Sequence, residues 1–176
     1  MTDISIRPAD AGDIAAITRI YGEAVAHGTA SFEIEPPTEA EMARRLEALL
    51  TGNCPYLVAE RTGVVAGYAY AGPYHPRPAY RWCVEDTIYV DTQFQRLGLG
   101  RLLMVRLIRE AETRGFRQMI AVIGDSANVA SIAVHAAVGF RRIGTLQSVG
   151  FKHGRWLDTV VMQRPLGNSH STSPHP

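Results

Sequence analysis

The residue with the clearest chemical potential is Glu85. It interrupts Val84-Glu85-Asp86-Thr87-Ile88-Tyr89-Val90, an otherwise β-branched and aromatic run of the kind that forms a strand. Burial there raises a carboxyl pKa and makes the group a more capable base. The plainer alternative is a structural carboxylate paired with Arg77 or Arg81. Five residues past the run stands Gln95-Arg96-Leu97-Gly98-Leu99-Gly100-Arg101, a polar turn with a Gly-x-Gly that opens an apolar-periodic helix. The first N–H groups of a helix have no partner within it, and glycine lets a phosphate approach the backbone. Arg96 and Arg101 flank the turn and can add charge-assisted bonds to the same anion. The turn lacks the lysine of a P-loop and the third glycine of a dinucleotide fingerprint. A tight strand-to-helix connection with two solvated arginines is the competing explanation.

Other candidates are more scattered. Gly72 to Pro78 contains three prolines, which fix φ and remove donors, so a rigid loop is expected there. It carries His75 and Arg77, and the arginine fork suits a carboxylate. Phe32 lies between polar residues, as a pocket wall or as a loop anchor in the core. Asn128 stands where a helix starts, and its ordinary role is a cap. His135 follows two turns later on a largely apolar helix, where a lone histidine is commonly a satisfied core residue. Lys152 and His153 stand in Gly150 to Asp158, and their role is open between a subunit contact and chemistry.

The elements that must position these residues follow from periodicity. Ile4 to Arg7 alternates as a strand, and Asp10 precedes a helical face of Ile14, Ile17, Ile20 and Tyr21. Thr38-Glu39-Ala40-Glu41 has capping-box spacing before a second helix through Leu50. Tyr56 to Glu60 and Val64 to Tyr70 read as a hairpin. The helix after the glycine turn has Leu99, Leu102, Leu103, Val105, Leu107, Ile108 and Ala111 as its apolar set. Gln118 to Ile123 is a short strand, a helix follows to Ala137, and Phe140 to Val149 pairs with Trp156 to Met162. The order β-α-α-β-β-β-α-β-α-β-β implies α+β with a mixed, mostly antiparallel sheet.

Composition narrows the classes. The 176 residues suit one domain, taken as 1–166, with the polar stretch 167–176 as a disordered tail. A net charge of +1 gives no electrostatic reason to expect nucleic acid or an anionic membrane as partner. Two cysteines make neither a disulfide framework nor a metal motif. Met1-Thr2-Asp3 lacks the features of a signal peptide, so a cytoplasmic location is expected.

Several motifs converge on one family. Asn128, Ser131, His135, Gly139 and Phe140 fall at the spacings of Asn-x-x-Ala/Ser-x-x-x-Tyr-x-x-x-Gly-Phe, with histidine in place of tyrosine. Together with Gln95-x-x-Gly98-x-Gly100 and the element order, this pattern resembles the GNAT family of N-acetyltransferases over roughly residues 4 to 165. The branch that acetylates phosphinothricin, methionine sulfone and methionine sulfoximine is closer still. Its hallmarks are similar to Ala69 to Tyr74, Val84 to Val90, Ala121 to Gly124 and Gly150 to Asp158.

The resemblance implies acetyl-CoA as co-substrate, no metal, and direct attack by the amine of a small amino acid in a ternary complex. It also implies a homodimer. It assigns Gln95, Arg96, Leu97, Gly98, Leu99, Gly100 and Arg101 to the pyrophosphate. Ile88, Tyr89, Val90, Asn128 and Ser131 then serve the pantetheine arm. Glu85 is the base, His135 the proton donor to the thiolate, and Phe32, His75, Arg77, Asp86 and Thr87 join Glu85 around the acceptor. His75 stands where some relatives carry a basic residue. The alternatives are a GNAT enzyme for another amine, such as a protein N-terminus or polyamine, and a coenzyme A-binding module without catalysis.

Overall fold

The computed structural model describes residues 4–174. Met1-Thr2-Asp3, which carries the expectation about a signal peptide, lies outside the described residues. In chain order the elements are β1 (Ile4–Pro8), α1 (Ile14–His27), α2 (Glu39–Thr51), β2 (Tyr56–Arg61), β3 (Val64–Pro73), β4 (Cys83–Val90), α3 (Leu99–Thr113), β5 (Gln118–Gly124), α4 (Val129–Ala137), β6 (Arg141–Lys152) and β7 (Arg155–Pro165). The expected order holds throughout.

Local chemistry accounts for the boundaries. Asp10 accepts from the Gly12 N–H, and the Asp13 side chain accepts from the Asp10 N–H, so a capped turn leads into α1. At α2 only half of the expected capping box forms. The Thr38 hydroxyl accepts from the Glu41 N–H, while the Glu41 carboxylate turns to Arg44 and Arg45. The β2–β3 hairpin turns through Thr62 and Gly63, with φ of 52° and 78°, the positive pair that a two-residue type I′ connection requires. β3 runs to Pro73, three residues further than the proline-rich sequence suggested. Gly72 and Pro73 pair with Glu85 and Val84, and a missing N–H costs little at the end of a strand.

The seven strands form one sheet in the order β1-β2-β3-β4-β5-β7-β6. All pairs are antiparallel except β4 with β5. Alternation along the strands sends side chains to two cores. One face packs Leu57, Ala69, Ala71, Val84, Met119 and Ala121 against Leu99, Leu103, Met104 and Leu107 of α3. The other packs Tyr56, Val58 and Tyr68 against Ile17, Ile20, Tyr21 and Val25 of α1 and Met42 and Leu46 of α2. Burying each such aliphatic side chain contributes on the order of 1.5–3 kcal/mol. The apolar stripe of α3 is narrower than expected. Leu102 and Val105 are 45% and 47% exposed, and Met104 takes a core position instead. After β7 the chain continues in turns through Ser171, where the Gln118 side chain donates to the Ser169 hydroxyl at 2.6 Å. Among the described residues no helix is long and apolar enough to cross a membrane.

Candidate active site

The site arises where the sheet stops being continuous. Parallel pairing of β4 with β5 runs only from Cys83↔Gln118 to Asp86↔Ala121. Beyond it, Thr87 to Val90 and Val122 to Gly124 diverge and line opposite sides of a cleft of about 1530 Å³. One edge of β4 therefore turns unpaired backbone groups into the cleft, and such groups need a partner when water is excluded.

Glu85 stands at the closed end of this split. It is half-buried, and burial first, then the neighbouring Asp86 charge, raise its pKa to about 7. That value suits a general base at neutral pH. Neither arginine proposed as its partner takes that role. Arg81 lies 5.2 Å from the centre of the Trp82 ring, and Arg77 is exposed.

The glycine turn stands at the mouth. Gly98 precedes α3 with φ 79° and Arg96 has φ 61°. These left-handed steps set the direction in which the chain enters α3, whose first N–H groups, those of Leu99, Gly100 and Arg101, have no partner within the helix. Gln95, Arg96, Gly98, Leu99, Gly100 and Arg101 all line the cleft, whereas Leu97 does not. Asp91 shapes this turn. Its side chain accepts from the Gln93 N–H at 2.9 Å and from Arg19 of α1 at 2.7 Å. On the far wall Asn128 caps α4, accepting from the Ser131 N–H at 3.2 Å, which leaves its amide donors free. The arrangement offers unpaired helix N–H groups at one end, an open backbone edge along β4 and a carboxyl group with a raised pKa at the other end.

Comparison with known proteins identifies the family. The model of the acetyltransferase (GNAT) family matches residues 17–140. This chain belongs to the GNAT family. Phosphinothricin N-acetyltransferase of Alcaligenes faecalis is 51% identical over 162 residues, 92% of this chain and 82% of that protein. The L-methionine sulfoximine/L-methionine sulfone acetyltransferase of Salmonella typhimurium is 41% identical over 163 residues, 93% and 95% of the two chains. Among solved structures, a phosphinothricin acetyltransferase from Sinorhizobium meliloti in complex with AcCoA superposes with a TM-score of 0.95 at 47% identity, covering 98% of this chain and 93% of that one.

Within this GNAT domain the other expected site residues separate into groups. Glu85 and Thr87 share the α1/α2 face of β4 with Tyr89, and Tyr21, Ser31, Phe32 and Tyr70 join them in lining the cleft. Asp86, grouped with them in the sequence, points to the opposite face, because neighbours on a strand alternate. It meets His135 there. The His135 Nε2 lies 2.8 Å from Asp86 Oδ2, and Nδ1 lies 2.7 Å from the Ser131 carbonyl. Both side chains are buried, and both line the cleft. His75 and Arg77 are exposed, and neither lines the cleft. Their loop springs from the end of β3 that pairs with Glu85, and the Tyr74 N–H donates to the Cys83 carbonyl.

Phe32 is half-buried, and its ring rests on Gly150; an added Cβ there would lie 2.3 Å from Cε2. The Gly150 to Asp158 segment helps to hold the 28–33 loop. Lys152 is buried and donates to the Ser31 carbonyl at 2.8 Å, and Arg155 and Thr29 both reach Asp125. Sequence patterns missed this fastening, since Lys152 and Ser31 are 121 residues apart and Thr29 and Asp125 are 96 apart. They also missed Tyr21, Ser31 and Tyr70 as cleft residues. The Asp86–His135 pair left a usable signal, since strict alternation along β4 separates Asp86 from Glu85.

Proposed function

We propose that this GNAT enzyme transfers the acetyl group of acetyl-CoA to the α-amine of a small amino acid by direct attack in a ternary complex. Phosphinothricin, methionine sulfone and methionine sulfoximine are the first acceptors to try. The observation that carries this is Glu85, with its raised pKa, at the closed end of a β4–β5 split whose mouth holds the α3 N-terminus. The pyrophosphate of the co-substrate is assigned to the first N–H groups of α3 with Arg96 and Arg101. Its arm is assigned to the open edge of β4 at Ile88, Tyr89 and Val90, with Asn128 and Ser131 opposite. A backbone N–H on that edge meets the acetyl oxygen as its negative charge develops. Glu85 takes the amine proton, the N–C bond forms, the C–S bond breaks, and His135 supplies the proton for the sulfur.

The acceptor is assigned to the α1/α2 face, among Phe32, Tyr70, Glu85 and Thr87. Arg77 and His75 stand on the adjacent loop as candidates for its carboxylate. Two chains are proposed to associate through the exposed apolar side chains of β6 and β7. Leu146, Val149 and Phe151 are each more than half exposed, and Trp156, 64% exposed, meets Phe151 edge to face at 5.2 Å. A single catalytic domain over 1–166 with the tail 167–176, in the cytoplasm, completes the proposal.

An acceptor panel followed by thiol release tests the assignment. Turnover is expected with at least one of the three amino acids. Modification of peptides or polyamines but of no free amino acid would refute it, and binding of acetyl-CoA without turnover of any amine would indicate a non-catalytic module.

A further inference from the structure

The Asp86–His135 pair is built more carefully than a core histidine needs. Both ring nitrogens are committed. A carbonyl oxygen can only accept, so Nδ1 carries a proton toward Ser131. The Ser131 hydroxyl, 3.4 Å from the same nitrogen, is therefore not activated by it. A further proton lies on the line between Nε2 and Asp86 Oδ2. The second carboxylate oxygen, Oδ1, is buried and has no hydrogen-bond partner among the described residues. An orphaned buried oxygen is costly and calls for an explanation. The pair stands where β4 and β5 part, on the face opposite Glu85, so the two proton-handling groups approach the reacting centre from opposite sides of the sheet. The Phe140 ring closes the far side of the imidazole, edge to face at 5.1 Å.

We propose that Asp86 is the positioning residue of the acetyl transfer, fixing His135 in orientation and keeping a proton on Nε2 at the cleft wall. This rests on the acetyl-transfer function above and refines its acid step. When the C–S bond breaks, the electron pair stays on sulfur, the thiolate replaces Asp86 Oδ2 as acceptor of the Nε2–H, and that proton passes to it. The new S–H then donates to the Asp86 carboxylate, whose Oδ1 has a lone pair free. After product leaves, the imidazole regains a proton from water and Glu85 releases one, so the cycle balances. Burial opposes charge on both partners, raising the Asp86 carboxyl and pulling down on the His135 imidazole, while the hydrogen bond between them favours the charged forms and leaves His135 above its ordinary value.

The test compares two acetyl donors, acetyl-CoA and the acetyl ester of an electron-poor arylthiol, whose thiolate leaves without a proton. Asp86→Asn and His135→Gln are each expected to lose roughly a hundredfold in kcat with acetyl-CoA, the usual scale of a lost acid. With the aryl donor both should stay within about fivefold of wild type, since that leaving group draws little on an acid. Equal losses of Asp86→Asn with both donors overturn the proposal. Selective loss in His135→Gln but not in Asp86→Asn removes the role of Asp86 and leaves the proposed function standing. A wild-type chain that acetylates no amine removes both.

Should Asp86→Asn not fold, nitrogen NMR of wild-type His135 decides. Protons on both ring nitrogens at neutral pH are expected, and a bare Nε2 overturns the proposal.

Discussion

Replacing Glu85 by glutamine keeps the volume and polarity of the side chain and removes its capacity to act as the proposed base. Loss of a positioned general base costs about 10²–10⁴ in rate, which is roughly 2.7–5.5 kcal/mol of transition-state stabilisation. Glu85→Gln is therefore expected to lower kcat by that factor, while calorimetry with acetyl-CoA gives nearly the wild-type Kd. The pH profile adds a second criterion. With a pKa of about 7, wild-type kcat/KM should fall to about one tenth of its plateau near pH 6, and this limb should be absent in the variant.

Stability supplies a third criterion with a definite sign. A carboxyl raised from 4.5 to about 7 on folding binds a proton more tightly in the folded chain than in the unfolded one. Its ionisation therefore destabilises the fold as pH rises from 4.5 to 7, and the full cost is present above about 7. Glu85→Gln should melt higher than wild type at neutral pH and converge with it below the unfolded value. A variant with wild-type kcat, or one whose Tm advantage is the same at acid and neutral pH, would refute the assignment of Glu85.

Four further outcomes are expected. Gly98→Ala places a Cβ in open space but at φ 79°, so its cost is backbone strain of about 1–2 kcal/mol; differential scanning should show a lower Tm and calorimetry a weaker acetyl-CoA complex, and unchanged values would detach the turn from the coenzyme. Gly150→Ala drives a methyl into the Phe32 ring, at a cost of about 1–3 kcal/mol for overpacking, and steady-state kinetics should show a higher acceptor KM at an unchanged acetyl-CoA KM. Arg77→Ala should chiefly raise the acceptor KM; an unchanged value would mean that the carboxylate is held elsewhere. Asp125 has its pKa lowered from 3.8 by the Ala127 N–H, Thr29 and Arg155, so its contribution to stability is complete above the unfolded value and is lost as pH falls through the folded one. Asp125→Asn should flatten denaturant stability across that acid range, and an unaltered slope would refute the linkage.

The sequence by itself determined the order of elements and the family. Apolar periodicity, capping residues and glycine turns are local properties, and eleven helices and strands follow from them in the expected succession. It also marked Glu85 and the glycine turn, because a carboxylate in an apolar strand and a Gly-x-Gly at a helix start are each visible within a few residues. Where local rules misled, tertiary packing overrode them. The prolines after Gly72 did not end β3, because β4 still offered a partner, and Leu102 and Val105 of α3 face water because the sheet covers only one side of that helix.

Only the tertiary structure decided how the chemistry is divided. Two adjacent acidic residues, Glu85 and Asp86, point to opposite faces of one strand, and just one of them meets His135, 49 residues away. The cleft itself is not encoded in any single segment. It exists because β4 and β5 pair for four residues and then part, a relation between two strands separated by the whole of α3. Likewise, Lys152 fastens Ser31 across 121 residues, and such a contact has no signature in either stretch until the sheet brings its ends together.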